Sequence, residues 1–157
     1  IHSEIYKAKE DVNSIAHAHP MYGKTFSTLG KMLKPISQDS CAFYERTAIF
    51  SDYDGVANGP DEGINIAKAL GDKEFCILQN HGILTTGSMV DTAVWYFLNM
   101  EDACKSQLLA EAVGEPKIIP HETACATRDY VANDLSAYVS FQPTIDVLWE
   151  EEPDLLD

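Results

Sequence analysis

The sequence has few positive charges, with 11 lysine and arginine residues against 25 aspartate and glutamate residues in a chain of 157. The formal net charge of −14 at pH 7 argues against nucleic acid or an anionic membrane as a partner, because those surfaces attract an excess of Lys and Arg. An anionic small-molecule substrate stays compatible with this charge, because a bound divalent cation reverses the field locally. We predict that one acidic run forms a solvated tail; its members are Glu150, Glu151, Glu152, Asp154 and Asp157.

The sequence also lacks closely spaced cysteine pairs and long apolar runs. None of the four cysteines (Cys41, Cys76, Cys104 and Cys125) forms a C-x-x-C pair. Wide spacing of this kind favours reduced thiols and a cytoplasmic protein. No apolar stretch approaches the roughly 18–20 residues that a membrane-spanning helix needs, and no signal-peptide pattern is present.

Predicted strands that alternate with predicted helices indicate a three-layer α/β domain. The predicted helices cover residues 1–9, 21–29, 61–70, 90–113 and 121–134, and the predicted strands cover 14–19, 48–50, 75–79 and 83–86. Residues 34–40 are predicted to be extended, 51–60 to form a loop, and the chain after 134 to form a tail. Because the strands are short and their connections vary in length, we do not predict a doubly wound parallel sheet.

Two histidines stand two residues apart in His17-Ala18-His19, within a predicted strand that Pro20 ends. Side chains at positions i and i+2 of a strand point to the same face, so both imidazoles can reach one metal ion. Taken alone, the pair fits solvent-facing histidines equally well.

His81 changes that balance. It lies in Gln79-Asn80-His81-Gly82, directly after a buried strand. We expect Gly82 to permit a backbone conformation that directs the His81 ring out of the sheet. Three histidines at strand ends make a ligand set with open positions for water and substrate. His2 and His121 lack this spacing, and we expect them to be structural.

These motifs resemble the class II aldolase/adducin domain family. The resemblance rests on residues 1–6 (IHSEIY), 12–20 (VNSIAHAHP) and 78–82 (LQNHG), and it continues through the predicted long helix to about residue 115. The combination of an H-x-H motif with a Q-x-H-G motif is specific for this family. The segment from 140 to 157 is similar to a fungal-type subgroup of the family.

The resemblance implies a three-layer α/β/α fold with a central mixed β-sheet. Residues 1–115 would be the C-terminal part of the family domain, and 116–157 a C-terminal helix and the acidic tail. His17, His19 and His81 match the family's metal ligands. The usual ion is Zn²⁺, with Mn²⁺, Co²⁺ or Fe²⁺ in relatives, and the usual assembly is a homotetramer.

The implied chemistry is aldol cleavage, epimerisation or decarboxylation of a small sugar phosphate or sugar acid, with the metal stabilising an enediolate as a Lewis acid.

The family's acid/base glutamate and its phosphate-binding segments precede the position matching Ile1. We therefore expect both to be absent from this chain. Glu4 becomes the candidate acid/base residue if this alignment of the chain with the family is wrong. Asp39 is a weak catalytic candidate, since an acidic residue approaches the metal in the epimerase branch; a surface-turn role competes with it.

Two other functions stay open at this point. Adducin-type relatives keep the fold, lose the ligands and act as cytoskeletal scaffolds, but a scaffold has no reason to retain all three histidines. An iron-dependent oxygenase on the same fold is the other alternative, because three imidazoles accept iron and zinc alike.

We expect Trp95 and Tyr96 to pack in the core or at a subunit interface. Tyr130, Tyr138 and Phe141 are expected mainly to pack in the core or in a loop, with proton donation as the alternative for the tyrosines.

Overall fold

The computed structural model describes residues 1–52, 55 and 60–156. The described chain contains ten helices and strands in this order: α1 (His2–Ala8), β1 (Ser14–Ala18), α2 (Met21–Ser27), β2 (Thr47–Phe50), α3 (Pro60–Leu70), β3 (Phe75–Leu78), β4 (Gly82–Gly87), α4 (Val90–Val113), α5 (His121–Val131) and α6 (Asp134–Glu151). Short 3₁₀ helices lie at Asp39–Phe43 and Pro153–Leu156.

The four strands form one mixed sheet in the order β1-β4-β3-β2. The β1–β4 and β3–β4 pairs are antiparallel, whereas β2 and β3 are parallel and are joined through the crossover helix α3. The register places His17 opposite Leu84 and Ala18 opposite Ile83. The end of β1 therefore lies beside the start of β4, which follows His81 directly.

Each face of the sheet packs against its own helices. Along β3, Phe75 and Ile77 enter one apolar cluster, and Cys76 and Leu78 enter the other. This alternation is expected for a strand buried on both faces. The first cluster includes residues of α2, α4 and α6, and the second includes residues of α1 and α3. The predicted three-layer fold with a mixed sheet is confirmed.

The chain between α2 and β2 differs from the prediction. Residues 34–40 were expected to be extended, but the 3₁₀ helix Asp39–Phe43 begins within them. Ser40 and Ser37 stabilise this turn, because Ser40 Oγ accepts hydrogen bonds from the backbone N–H groups of Ile36 and Ser37 at 3.0 and 2.9 Å. Such side-chain bonds favour a turn over an extended segment. Of the predicted loop 51–60, residues 53, 54 and 56–59 lie outside the described residues.

The C-terminal region differs more. The predicted helix 121–134 ends at Val131, and the predicted tail contains the 18-residue helix α6. Pro143 lies inside this helix and cannot donate to the carbonyl of Val139, which makes the helix hard to predict. Its formation is favoured by burial of Ala137 and Phe141. Asn133 also caps it by accepting a hydrogen bond from the Ser136 N–H at 2.9 Å. Glu150, Glu151 and Glu152 are exposed as predicted, although the first two are helical.

Two further findings concern the environment of the chain. Within the ranges that the structure covers, no helix combines the length and apolar character that a membrane crossing requires. All four cysteines are unpaired, and Cys41, Cys76 and Cys104 are buried. Burial raises the pKa of the Cys76 thiol to about 12, so this residue acts as a small apolar core residue.

Candidate metal centre

Three imidazole rings converge at the end of β1. The ring centroids of His17 and His19 lie 5.4 Å apart, those of His17 and His81 4.9 Å, and those of His19 and His81 4.6 Å. One ligand nitrogen from each ring lies within 4.8 Å of the other two. Imidazoles that bind one tetrahedral ion at roughly 2.0–2.1 Å have centroids about 5 Å apart. The donor set and its spacing therefore fit a divalent transition metal.

β1 positions the first two rings as the spacing predicted. His17 lies within the strand and His19 directly follows its last residue, Ala18. The Nδ1 atom of His17 lies 2.9 Å from the carbonyl oxygen of Ile83. A ring that donates from Nδ1 to a carbonyl keeps its Nε2 lone pair for a metal, the arrangement that usually orients a ligating histidine.

The backbone that positions His81 differs from the prediction in one respect. The left-handed conformation belongs to Asn80, with φ 58°, and not to Gly82. Asparagine tolerates this conformation better than most residues do. Gly82 instead permits a close approach, because a Cβ atom there would lie 2.5 Å from the Ala18 carbonyl oxygen and 3.2 Å from His19 Cδ2. The expectation that Gly82 supplies an unusual φ was therefore wrong, although a glycine is needed at this position.

We expect Gly82→Ala to disturb the site and the fold together. The new methyl group would overlap the Ala18 carbonyl, which belongs to the backbone and cannot rotate away. The free energy of unfolding, measured by urea titration, should fall by about 1–3 kcal/mol. Gly114→Ala is the matched control, since a Cβ there meets nothing within 4 Å. If both variants unfold at the same urea concentration, the close packing around Gly82 does not constrain the site.

The carboxylate of Glu101 caps α2, the helix that follows the H-x-H pair. Glu101 of α4 accepts hydrogen bonds from the backbone N–H groups of Tyr22 and Gly23 at 2.8 and 2.5 Å. These donors belong to the first turn of α2, where no residue of α2 itself caps the helix with a side chain. Because α2 begins two residues after His19, this contact fixes the exit of the chain from the histidine cluster.

Burial favours the neutral form of His17 and His81, which metal binding requires. Burial lowers the pKa of His17 from 6.5 to about 4, against an opposing effect of its bond to Ile83, and the neighbouring histidines lower it further. Burial also lowers the pKa of His81, helped by His19 and opposed by the negative charge of Glu62. A proton therefore competes weakly with a metal ion at His17 near neutral pH.

We expect the His17 imidazole of the metal-free protein to titrate near pH 4, measured by NMR of its ring protons. The unfolded chain binds this proton with the ordinary pKa of 6.5. The unfolded state therefore takes up more protons as the pH falls from 6.5 towards 4, and the metal-free protein loses stability across that window. A His17→Gln variant should lose part of this pH dependence. A midpoint at or above 6.5 would contradict the neutral-imidazole account.

Glu62 was not identified by the sequence analysis. Its negative charge is close enough to His81 to oppose the lowering of that ring's pKa, and its Oε1 atom is buried without a hydrogen-bond partner among the described residues. A buried acceptor of this kind costs free energy unless a ligand or ion satisfies it. The residue lies in the first turn of α3, where acidic side chains are common because they interact favourably with the helix dipole. Sequence alone therefore gave no signal that distinguishes it.

Other candidate residues lie elsewhere. Asp39 lines a cavity of about 260 Å³ together with Trp95, Asn99 and Tyr130, and the lining of this cavity includes none of the three histidines. Glu4 forms an ion pair with Lys7 at 2.6 Å on α1. The catalytic role of Asp39 stays a prediction.

The aromatic candidates divide between core and surface. Tyr96 and Phe141 are buried and Trp95 is half-buried against the core, as expected. Tyr130 and Tyr138 are exposed by 83% and 44%, so neither tyrosine lies in the core of this chain.

The chain resembles proteins of known name along its whole length. It is 38% identical over 155 residues to "Decarboxylase NovR" of Streptomyces niveus, covering 99% of this chain and 57% of that protein. It is also 38% identical over 155 residues to the "4-hydroxy-3-prenylphenylpyruvate oxygenase/4-hydroxy-3-prenylbenzoate synthase" of Streptomyces roseochromogenus subsp. oscitans, covering 99% and 56%. The chain thus spans little more than half the length of these curated relatives.

A solved structure supports the same assignment. "L-fuculose 1-phosphate aldolase from Glaciozyma antarctica PI12" superposes with a TM-score of 0.87 at 39% identity, covering 98% of this chain and 58% of that one. Residues 1–108 match the family described as "Class II Aldolase and Adducin N-terminal domain". This match includes all three converging histidines, and the chain belongs to the class II aldolase and adducin family.

Proposed function

We propose that this chain carries the metal-binding part of a metal-dependent lyase. The enzyme would cleave or form a carbon–carbon bond in a small sugar phosphate or hydroxy acid, or carry out the related epimerisation or decarboxylation. The observation that carries the proposal is the convergence of His17, His19 and His81 on one point, with one ligand nitrogen of each within 4.8 Å of the others. Family membership supports a lyase-type activity.

The three histidines would hold a divalent ion, with Zn²⁺ first and Fe²⁺, Mn²⁺ or Co²⁺ as the other candidates. When bound, the ion supplies a Lewis acid that stabilises negative charge on substrate oxygens. His17 is oriented by the Ile83 carbonyl and is kept neutral by burial. His19 is exposed, so the cluster opens towards solvent on its side, where a small substrate can approach.

Glu62 is our candidate for proton transfer within this chain. Its buried Oε1 atom has an unused lone pair near the histidine cluster, where it can accept a proton or a hydrogen bond from a substrate hydroxyl. The acid/base glutamate that the family resemblance implies would precede Ile1. Glu62 would then act beside it, or replace it if that expectation is wrong.

Iron-dependent oxygenation is the second candidate function. A relative that is 38% identical over 155 residues carries the name of an oxygenase, and three neutral imidazoles accept Fe²⁺ as readily as Zn²⁺. Within the chain's own residues, the two candidate functions use the same ligands. They differ in the metal that the site selects and in whether oxygen is consumed. A non-catalytic adducin-like scaffold is the remaining alternative, and retention of the ligand set argues against it.

Metal identity and turnover together test the proposal. The purified protein is analysed for bound metals and then incubated with a panel of sugar phosphates and small hydroxy or keto acids, with product formation followed by NMR and oxygen by electrode. The proposal predicts a bound divalent metal and oxygen-independent carbon–carbon cleavage, epimerisation or decarboxylation. Turnover that requires iron and consumes oxygen would replace it with the oxygenase function. A protein that binds no metal at these histidines would support the scaffold.

Assembly and location are also proposals. We propose a homo-oligomer, for which the family suggests a tetramer, and a cytoplasmic protein. Apolar side chains exposed on α6 support assembly, since large exposed apolar patches mark interaction surfaces. They are Leu135, Tyr138, Val139, Val147, Leu148 and Trp149. No nucleic acid or membrane partner is proposed, given the acidic composition.

A further inference from the structure

A second group of metal-ligating side chains lies outside the histidine cluster. His121 and Cys125 are four residues apart on α5, which places them on the same face of the helix, one turn apart. Glu45 faces them from the turn between the 3₁₀ helix Asp39–Phe43 and β2. One ligand atom from each of the three residues lies within 4.8 Å of the other two. The group thus joins two separate parts of the chain.

The distances within this group match those in a tetrahedral metal site. Cys125 Sγ lies 3.8 Å from either ring nitrogen of His121 and 3.7 Å from Glu45 Oε2. The carboxylate also lies beside the imidazole ring, with Glu45 Oε1 3.7 Å from His121 Nδ1. Ligands that share one zinc ion tetrahedrally, with Zn–S near 2.3 Å and Zn–N or Zn–O near 2.0–2.2 Å, lie about 3.4–3.7 Å apart. Small side-chain rotations bring all three atoms to bonding distance.

Neighbouring side chains orient the two exposed ligands, His121 and Glu45. Tyr44 Oη lies 3.1 Å from His121 Nδ1, and a ring that donates to this oxygen keeps Nε2 free for a metal. Arg128 donates hydrogen bonds to Glu45 Oε2 at 3.3 Å and to the Tyr44 carbonyl oxygen at 3.4 Å. The carboxylate is therefore held towards α5.

We propose that Glu45, His121 and Cys125 form a second site, for a zinc-like transition-metal ion, with a fourth position open to solvent. The combination of one thiolate, one imidazole and one carboxylate selects borderline-soft metals over Mg²⁺ and Ca²⁺, which prefer oxygen ligands. Binding releases the thiol proton, and the two anionic ligands balance the charge of a divalent ion. The site is independent of the proposed catalytic function, since it shares no residue with the histidine cluster.

Cobalt titration of the purified, metal-free protein tests this proposal. A thiolate ligand gives Co²⁺ an intense sulfur-to-cobalt charge-transfer band in the near ultraviolet, whereas a site of three imidazoles does not. We expect the band to appear on titration and to persist in a His17→Ala, His81→Ala double variant. Cys125→Ser should abolish it, and His121→Ala should weaken cobalt binding by at least about 10-fold, given that even outer ligands contribute 10–100-fold.

Glu122→Gln provides the matched control, because this exposed carboxylate neighbours His121 on the same helix but is outside the group. It should leave the charge-transfer band unchanged. As a second measurement, Zn²⁺ should protect the Cys125 thiol from alkylation, followed by mass spectrometry. The proposal is overturned if cobalt gives no charge-transfer band, if the band survives Cys125→Ser, or if Zn²⁺ leaves the alkylation rate of Cys125 unchanged.

Discussion

Replacing His81 by alanine is expected to remove the metal ion from the histidine cluster. A structural or catalytic transition-metal site usually needs at least three protein ligands. His81 is the third ligand of this group, since His17 and His19 supply only two. The experiment uses a Cys125→Ser background, which excludes metal bound by the second cluster of Glu45, His121 and Cys125. In that background, His81→Ala should lower bound metal from about one equivalent to below about a tenth of an equivalent. Elemental analysis of the dialysed protein measures this loss.

His2→Ala is the matched control for this experiment. The His2 ring lies 6.4 Å from that of His17 but is not among the converging ligands. Its removal should therefore leave the metal content unchanged. Equal metal content in the His81→Ala and His2→Ala variants would mean that the bound ion is not held by the histidine cluster.

The second large effect is expected at Glu62. Once a substrate is identified, Glu62→Gln should lower kcat by about 10²–10⁴-fold while metal content stays at the wild-type level, because proton transfer in the transition state typically contributes that much. The amide keeps the size of the side chain and one acceptor oxygen but cannot take up a proton at neutral pH. Steady-state kinetics and elemental analysis on the same preparation separate the two quantities.

The neighbouring Asp61→Asn variant controls for loss of negative charge at the start of α3. Asp61 is exposed and lies in the same helical turn as Glu62. It should retain wild-type kcat. If the two variants have the same activity, or if Glu62→Gln loses its metal, Glu62 does not act in proton transfer.

The sequence predicted the layered fold and placed each of the three histidines at a strand end because both follow from local periodicity. The two-residue repeat of a strand put His17 and His19 on one face, and the buried run before Gln79 placed His81 at a strand end. What local pattern could not supply was the pairing of β1 with β4. That register brings Ala18 beside Ile83, and with it the first two rings beside the third.

Features that depend on tertiary contacts were mispredicted or missed. A tail was predicted after residue 134, yet burial of Phe141 and capping by Asn133 stabilise α6 despite the hydrogen bond that Pro143 cannot donate. The glycine in the Q-x-H-G motif was assigned a torsional role, whereas Asn80 adopts the left-handed conformation. Glu62 looked like an ordinary helix-start acid until the fold placed it near His81.

The second metal-ligand group illustrates the same limit. His121 and Cys125 show helical i,i+4 spacing in the sequence, but their third partner is 76 residues or more away along the chain. Only the packing of α5 against the turn at Glu45 brings the three together. His121 has no metal-ligand spacing to the other histidines in the sequence, and it was therefore expected to be structural.

Anomalous X-ray diffraction at the absorption edge of the bound metal tests the central claim most directly. A crystal of the metal-loaded protein should show an anomalous peak roughly 2.0–2.2 Å from one ring nitrogen of each of His17, His19 and His81. The same experiment identifies the ion by its edge. A loaded protein whose anomalous peaks lie only at other residues, with no peak among these three rings, would contradict the account.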